Sequence, residues 1–177
     1  RTQARAQLTT RSPKTELDLT FLLDTTGSMG DELEYLQSEI NSIASTIASK
    51  HPQMQPRFNL VVYRDAGDAY ETRGFQWGSS ADLKKNLDQQ SVDGGGDYPE
   101  AVAAGLKATT DLGWRSGANV ARMAFWVADA PHHIGEEGDV KASIREAQKK
   151  DVHLYPVAAS GTDDRAERLR RRLMDPS

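Results

Sequence analysis

Two aspartates and two hydroxyl side chains are the residues of this sequence best suited to hold a metal ion. Asp24 and Asp129 each follow directly after an apolar run, and Thr26 and Ser28 follow Asp24 at alternate positions. Carboxylate and hydroxyl oxygens are hard ligands of low total charge, which suit Mg²⁺ and, less selectively, Mn²⁺ or Ca²⁺. Zinc is disfavoured because the set contains no histidine or thiol.

Two apolar segments are expected to bring the aspartates to one place. Residues 17–23 and 121–128 are mostly apolar, as is typical of strands that are covered on both faces. In an open parallel sheet, ligands bind beyond the carboxyl ends of the strands, where the strand order reverses. If the two strands are neighbours, Asp24 and Asp129 meet at that edge. The alternate spacing of the two hydroxyl residues then lets a tight loop turn them toward the same point.

A long helix is predicted directly after this loop. Apolar residues recur there at spacings of three and four, which forms one face of an amphipathic helix: Leu33, Leu36, Ile40, Ile43 and Ile47. His51 and Pro52 end it. Other strands are predicted over residues 58–63, 69–75 and 152–158. Other helices are predicted around residues 83–87, 100–110, 140–149 and 163–174.

Strands that alternate with helices indicate parallel βαβ units with right-handed crossovers. The predicted fold class is therefore α/β: a doubly wound, mostly parallel sheet with one antiparallel edge strand and helices on both faces. Residues 69–75 are polar enough to form an edge strand. Residues 1–16 are read as a polar lead-in and residues 17–177 as one domain.

The composition narrows the classes of partner. The formal net charge of −4 gives no general attraction to nucleic acid or anionic lipid. The sequence has no cysteine, which excludes disulfides and thiolate metal sites. No apolar run approaches the roughly 18 residues of a membrane span.

Three motifs, in this order along the chain, resemble those of the von Willebrand factor A family. Residues 24–28, DTTGS, resemble the D-x-S-x-S motif of that family's metal-ion-dependent adhesion site, with Thr26 in place of the first serine. Residues 94–100, GGGDYPE, resemble the GGGDxPE loop of a subgroup that includes hemicentin-like and bacterial members. Asp129 resembles the final aspartate of the site. The resemblance extends over roughly residues 17 to 174.

This resemblance implies a Rossmann-like fold and a metal set of Asp24, Thr26, Ser28, Asp97 and Asp129. It also implies an adhesion or interaction module, not an enzyme, in which an Asp or Glu side chain of a protein partner completes the coordination of Mg²⁺, Mn²⁺ or Ca²⁺. The same relatives favour a place within a larger chain, in a bacterial cell envelope or an extracellular setting. No nucleic-acid partner is expected.

Two features depart from the family pattern. Asp97 stands where many members have a threonine ligand, and its alternative role is a turn residue or an N-cap before Pro99. A complete member has another strand and helix after the position of residues 163–174. Either the domain is truncated at its C-terminal end or the fold is short.

Two other functions compete with the module. The first is a structural scaffold with a vestigial metal site. The second is a hydrolase that uses Ser28 as nucleophile, with Asp129 and one of His132, His133 or His153. A nucleophile elbow needs glycine two residues before the serine, and Thr26 stands there.

Five titratable residues are close in the sequence to the predicted ligands or to the ends of the predicted strands. Glu100 is expected in the first turn of a helix, and His132 and His133 are expected to be solvated loop residues. Arg64 and Asp65 either pair with nearby groups or line the rim of the site.

Overall fold

A computed structural model describes residues 13–94 and 100–159 of the chain. The strands are β1 (Glu16–Asp24), β2 (Gln55–Tyr63), β3 (Thr72–Gly74), β4 (Val120–Ala128) and β5 (Val152–Ala158). The helices are α1 (Gly30–Lys50), α2 (Ser80–Asp88), α3 (Val102–Thr110) and α4 (Glu137–Lys149). The predicted helix over residues 163–174 lies outside the described residues, as do Asp97 and the first twelve residues of the predicted lead-in.

The five strands form one sheet in the order β3-β2-β1-β4-β5. Every pairing is parallel except that of β2 with β3, which is antiparallel. The predicted fold class is thereby confirmed, including the single antiparallel edge strand. That strand is shorter than the predicted residues 69–75, because only Thr72–Gly74 pairs with β2.

Helices cover both faces of the sheet, which explains why its central strands are apolar throughout. Leu23 packs with residues of α1 and α2, such as Ile40 and Leu87. Its neighbour Leu22 points to the opposite face and packs with residues of α3 and α4, such as Leu106. Because successive side chains alternate between faces, a strand covered on both sides needs apolar residues at nearly every position.

The ends of α1 and α2 carry residues that stabilise helix termini. Helix α1 has Asp31 and Glu32 in its first turn and Lys50 in its last, which complements the helix dipole. Helix α2 begins with a capping box of Ser79 and Asp82. None of the helices in the described part of the chain is long and apolar enough to cross a membrane.

Helix α3 begins at Val102, so the prediction of Glu100 as a first-turn helix residue is wrong. Glu100 instead forms a parallel β-bridge with His132, and its backbone N–H donates to the carbonyl of Pro131 at 3.0 Å. The next N–H, of Ala101, donates to the carbonyl of Arg64 at 3.3 Å. These contacts tie the start of α3 to the segments that follow β4 and β2.

Candidate metal site at the carboxyl edge of the sheet

Asp24 and Asp129 lie at the same edge of the sheet. Strands β1 and β4 are parallel neighbours, and Leu23 pairs with Val127, so both aspartates stand where the two strands end. Both side chains are buried, with 0 % and 8 % exposure. The strand order also reverses at β1, between its neighbours β2 and β4, which is where open α/β sheets bind their ligands.

The loop after β1 places the two predicted hydroxyl ligands, Thr26 and Ser28, in different surroundings. Thr26 is buried, and its backbone N–H and side-chain hydroxyl both donate to Oδ1 of Asp24, at 3.0 and 2.7 Å. Ser28 is exposed, within a single 3₁₀ turn over Gly27–Met29 that precedes α1. The loop therefore holds one hydroxyl against the buried carboxylate and presents the other to solvent.

Glu100 is a member of this acidic edge that the sequence analysis missed. Its side chain is 4 % exposed, and Oε2 has no hydrogen-bond partner among the described residues. Burial, together with the negative charges of four aspartates, raises the pKa of Glu100 to about 8; they are Asp24, Asp65, Asp68 and Asp129. Five carboxyl groups thus share one region of strongly negative potential. The signal available in the sequence was the place of Glu100 at the end of the GGGDYPE motif.

The glycine-rich loop is tied directly to the loop after β1. The N–H of Gly27 donates to the carbonyl of Gly94 at 3.3 Å, and the N–H of Asp93 donates to the carbonyl of Thr25 at 3.2 Å. Gly94 has a φ of +78°, and a Cβ there would collide with the carboxylate of Asp68. Only glycine combines that backbone conformation with such a close approach. Asp97, further along this loop, lies outside the described residues, so its role as a ligand remains a prediction.

The histidines after Asp129 are not solvated loop residues, and that expectation is wrong. His132 is buried, and burial lowers its pKa although Glu137 and Glu136 act in the opposite direction. His133 lies with Nε2 at 2.5 Å from Oδ1 of Asp65. His132 pairs with Glu100 in a β-bridge, which joins this segment to the residues just before α3.

Arg64 and Asp65 are both buried, and each contacts a residue from a different segment of the chain. The guanidinium of Arg64 donates from Nη2 to the carbonyl of Ser91 at 2.7 Å and lies 4.6 Å from the centre of the Tyr70 ring. Asp65 contacts His133. These contacts join the segments after β2, β4 and α2 around the site.

The described residues do not by themselves supply a set of carboxylate, histidine or cysteine ligands for a metal ion. Among residues 13–94 and 100–159, no three Asp, Glu, His or Cys side chains are arranged to hold a metal ion. The predicted set takes only two carboxylates from this part of the chain, Asp24 and Asp129, and completes them with hydroxyls and with Asp97. Burial, and after it the negative charge of the neighbouring aspartates, raises the pKa of Glu100, and a cation bound among them would oppose the second of these two causes.

Comparison with known proteins identifies the family. Residues 18–176 match the family profile of the von Willebrand factor A domain. The chain is 31 % identical over 120 residues to the alpha-protein kinase vwkA of Dictyostelium discoideum. It is 30 % identical over 118 residues to a putative ariadne-like RING finger protein, R811, of Acanthamoeba polyphaga mimivirus. Each match covers 66 % of this chain but only 19 % and 11 % of the relatives, so the chain spans a fifth or less of their length.

Solved structures with the same fold include a pilus adhesin and a protein of the mussel byssus. The pilus adhesin SpaC of Lactobacillus rhamnosus GG, in its open conformation, superposes with a TM-score of 0.64 at 10 % identity, over 94 % of this chain and 27 % of the adhesin. Proximal thread matrix protein 1 of the mussel byssus superposes with a TM-score of 0.59 at 14 % identity, over 82 % of this chain and 36 % of that protein. At these identities the likeness concerns the fold alone.

Proposed function

Because the chain belongs to the von Willebrand factor A domain family, whose members generally serve as interaction modules, we propose that it binds a protein partner through one divalent cation. The cation is Mg²⁺, with Mn²⁺ or Ca²⁺ as substitutes. Asp24, Thr26, Ser28, Asp97 and Asp129 would hold it at the carboxyl edge of the sheet. An Asp or Glu side chain of the partner would complete the site.

The observation that supports this proposal most strongly is the concentration of buried carboxyl groups around Glu100. Burial is the main cause of the raised pKa of Glu100, and the negative charges of the four aspartates add to it. A cation bound among these carboxylates would offset the part of the cost that comes from their like charges. The donor set also suits a hard ion, because every predicted ligand is a carboxylate or hydroxyl oxygen.

A bound cation supplies positive charge where the protein itself is acidic. Without it, the carboxylates of Asp24 and Asp129 would repel an acidic partner. With it, the local potential changes sign, and a partner carboxylate becomes a favourable ligand. Ser28 is exposed at this edge, so the site opens to solvent on the side where a partner would approach. In this proposal binding depends on the metal, and the surrounding loops select the partner.

The arrangement of the histidines favours this module over a hydrolase. Nε2 of His133 is engaged by Asp65, and Nε2 of His132 is buried with no hydrogen-bond partner among the described residues. His153 lies near the start of β5, 3.5 Å from Asp151, at the opposite end of the strand from the site. Within the described part of the chain, none of the three histidines forms a hydrogen bond with Ser28. We therefore propose that the domain is not an enzyme.

A peptide array tests the proposal against the scaffold alternative. Peptides that contain Asp or Glu are compared with otherwise identical peptides that contain Asn or Gln, in Mg²⁺ and in chelator. We expect a subset of the acidic peptides to bind in Mg²⁺ and to dissociate in chelator, while their amide counterparts do not bind. Binding that is the same in chelator would contradict the metal-dependent mechanism, and an array without any such pair would favour the scaffold.

A further inference from the structure

Tyr70 lies beside the loop that carries the predicted ligands. Its hydroxyl is 2.8 Å from Oγ1 of Thr25, the residue between Asp24 and Thr26. Oγ1 of Thr25 also donates to the carbonyl of Tyr63, at 3.0 Å. A threonine hydroxyl has one proton, so Tyr70 is the donor in its contact with Thr25. The phenol therefore completes a directed chain from Tyr70 through Thr25 to the end of β2.

The ring of Tyr70 is itself held in place by two arginines. The guanidinium groups of Arg64 and Arg73 lie 4.6 and 4.3 Å from the ring centre. Arg64 is anchored by its bond to the carbonyl of Ser91, and its backbone N–H donates to the carbonyl of Glu71 at 3.0 Å. The phenol hydroxyl thus projects from a supported ring and not from a mobile surface side chain.

Both the backbone and the side chain of Thr25 are held by hydrogen bonds. It is fully buried, and its backbone N–H donates to the carbonyl of Tyr63 at 3.0 Å. Its own carbonyl accepts from the N–H of Asp93 at 3.2 Å. Its side chain is held by Tyr63 and Tyr70. The peptide groups on both sides of Thr25 therefore have one orientation, and these groups determine where Asp24 and Thr26 point.

We infer that Tyr70 is a positioning residue of the metal site. Its hydroxyl holds Thr25, and through Thr25 it sets the directions of the carboxylate of Asp24 and the hydroxyl of Thr26. Tyr70 does not contact the metal. Groups hydrogen-bonded directly to a metal ligand commonly contribute about 10- to 100-fold to metal affinity, and Tyr70 acts one residue further out, so its contribution is expected at the lower end of that range. This inference rests on the proposed function, because it needs a metal site to position.

The test compares Mn²⁺ affinity, followed by water-proton relaxation, with the thermal stability of the metal-free protein. Tyr70→Phe removes only the hydroxyl and leaves the ring between its arginines. We expect the dissociation constant for Mn²⁺ to rise about 10-fold, with the midpoint of metal-free unfolding lowered by a few degrees at most. Thr25→Val, which keeps the shape of the buried side chain, should weaken Mn²⁺ binding similarly.

A double variant separates a shared pathway from two independent effects. If Tyr70 acts through Thr25, Tyr70→Phe combined with Thr25→Val weakens Mn²⁺ binding no more than the stronger single change. Tyr35→Phe is the matched control, because Tyr35 is 63 % exposed on α1, and it should leave the affinity unchanged.

Three results would overturn the inference, and they are distinguishable. Unchanged Mn²⁺ affinity in Tyr70→Phe, with normal binding by the wild type, rejects the positioning role and leaves the proposed function intact. Fully additive losses in the double variant reject the route through Thr25. No Mn²⁺ binding by the wild type rejects the proposed function, and the positioning role with it.

Discussion

The pH dependence of stability at Glu100 is the most direct consequence of the acidic edge. In the folded, metal-free protein the pKa of Glu100 is raised from 4.5 to about 8, first by burial and then by the surrounding aspartates. The folded state therefore binds a proton that the unfolded state has already lost between these two pH values. The contribution of Glu100 to the free energy of unfolding is therefore fully present below about pH 4.5 and is lost as the pH rises toward 8.

The size of this effect follows from the same values. A rise in pKa from 4.5 to about 8, at about 1.4 kcal/mol per pKa unit, corresponds to a loss of about 5 kcal/mol once the pH exceeds 8. For a domain of this length that loss lowers the unfolding midpoint by about 10 to 20 °C. Glu100→Gln removes the titrating group and keeps the size of the side chain, so the variant should avoid the decline.

Thermal unfolding in chelator between pH 5 and pH 9 tests this prediction. We expect wild type and Glu100→Gln to unfold within a few degrees of each other at pH 5, and the variant to be clearly more stable at pH 9. The matched control is Glu34→Gln, because Glu34 is exposed on α1, away from the buried carboxyl groups. The reasoning about Glu100 is refuted if wild type and Glu100→Gln have the same pH dependence.

Three other perturbations separate the fold from the site. At the opposite end of the sheet, burial by itself raises the pKa of Asp18, but hydrogen bonds from Arg57 and Arg115 hold it below its usual value. Asp18→Asn should therefore lower the free energy of unfolding by about 3 to 5 kcal/mol at pH 7, measured by chemical unfolding. The difference between variant and wild type should narrow as the pH falls below about 4. The Mg²⁺ affinity should be unchanged. Gly105→Ala places a Cβ 2.8 Å from the Tyr63 ring and should cost about 1 to 3 kcal/mol, measured by urea unfolding; a neutral result would show that α3 can move away from β2. Saturating Mg²⁺, at about 100 times its dissociation constant, should stabilise the wild type by about 2.7 kcal/mol and leave Asp24→Asn unchanged in the same calorimetric scan; equal stabilisation of both would place the ion elsewhere.

The sheet and the edge that carries the site were predictable because burial on both faces leaves a strong pattern. The apolar runs before Asp24 and Asp129 correspond to β1 and β4, each within one residue of the predicted start. A strand covered by helices on both sides reads as a continuous apolar segment, and the polar residue that ends it marks the edge. The long helix α1 was equally clear from its spacing of three and four.

The surroundings of the site were not predictable because long-range contacts override local preference. Glu100 follows a proline and precedes a helix, which favours a first-turn position, yet pairing with His132 takes it out of the helix and buries it. No local signal reports that two loops distant in sequence will cover each other. The burial of His132 escaped prediction for the same reason.

Tyr70 illustrates the same limit on a smaller scale. The polar character of residues 69–75 indicated an edge strand that would have included Tyr70, but β3 is confined to Thr72–Gly74. Tyr70 lies before it, where its hydroxyl reaches Thr25. The distance in sequence between these two residues hides a contact that places them side by side at the proposed site.

Calorimetric titration of Mg²⁺ into chelator-treated protein, with Asp24→Ala beside it, tests the central proposal most directly. We expect saturable binding of one ion per wild-type chain, no binding to the variant, and the same contrast when Mn²⁺ replaces Mg²⁺. A circular dichroism spectrum that matches the wild type establishes that the variant is folded. Absence of saturable binding by the wild type, or equal binding by the two proteins, would contradict a metal site at the ends of β1 and β4.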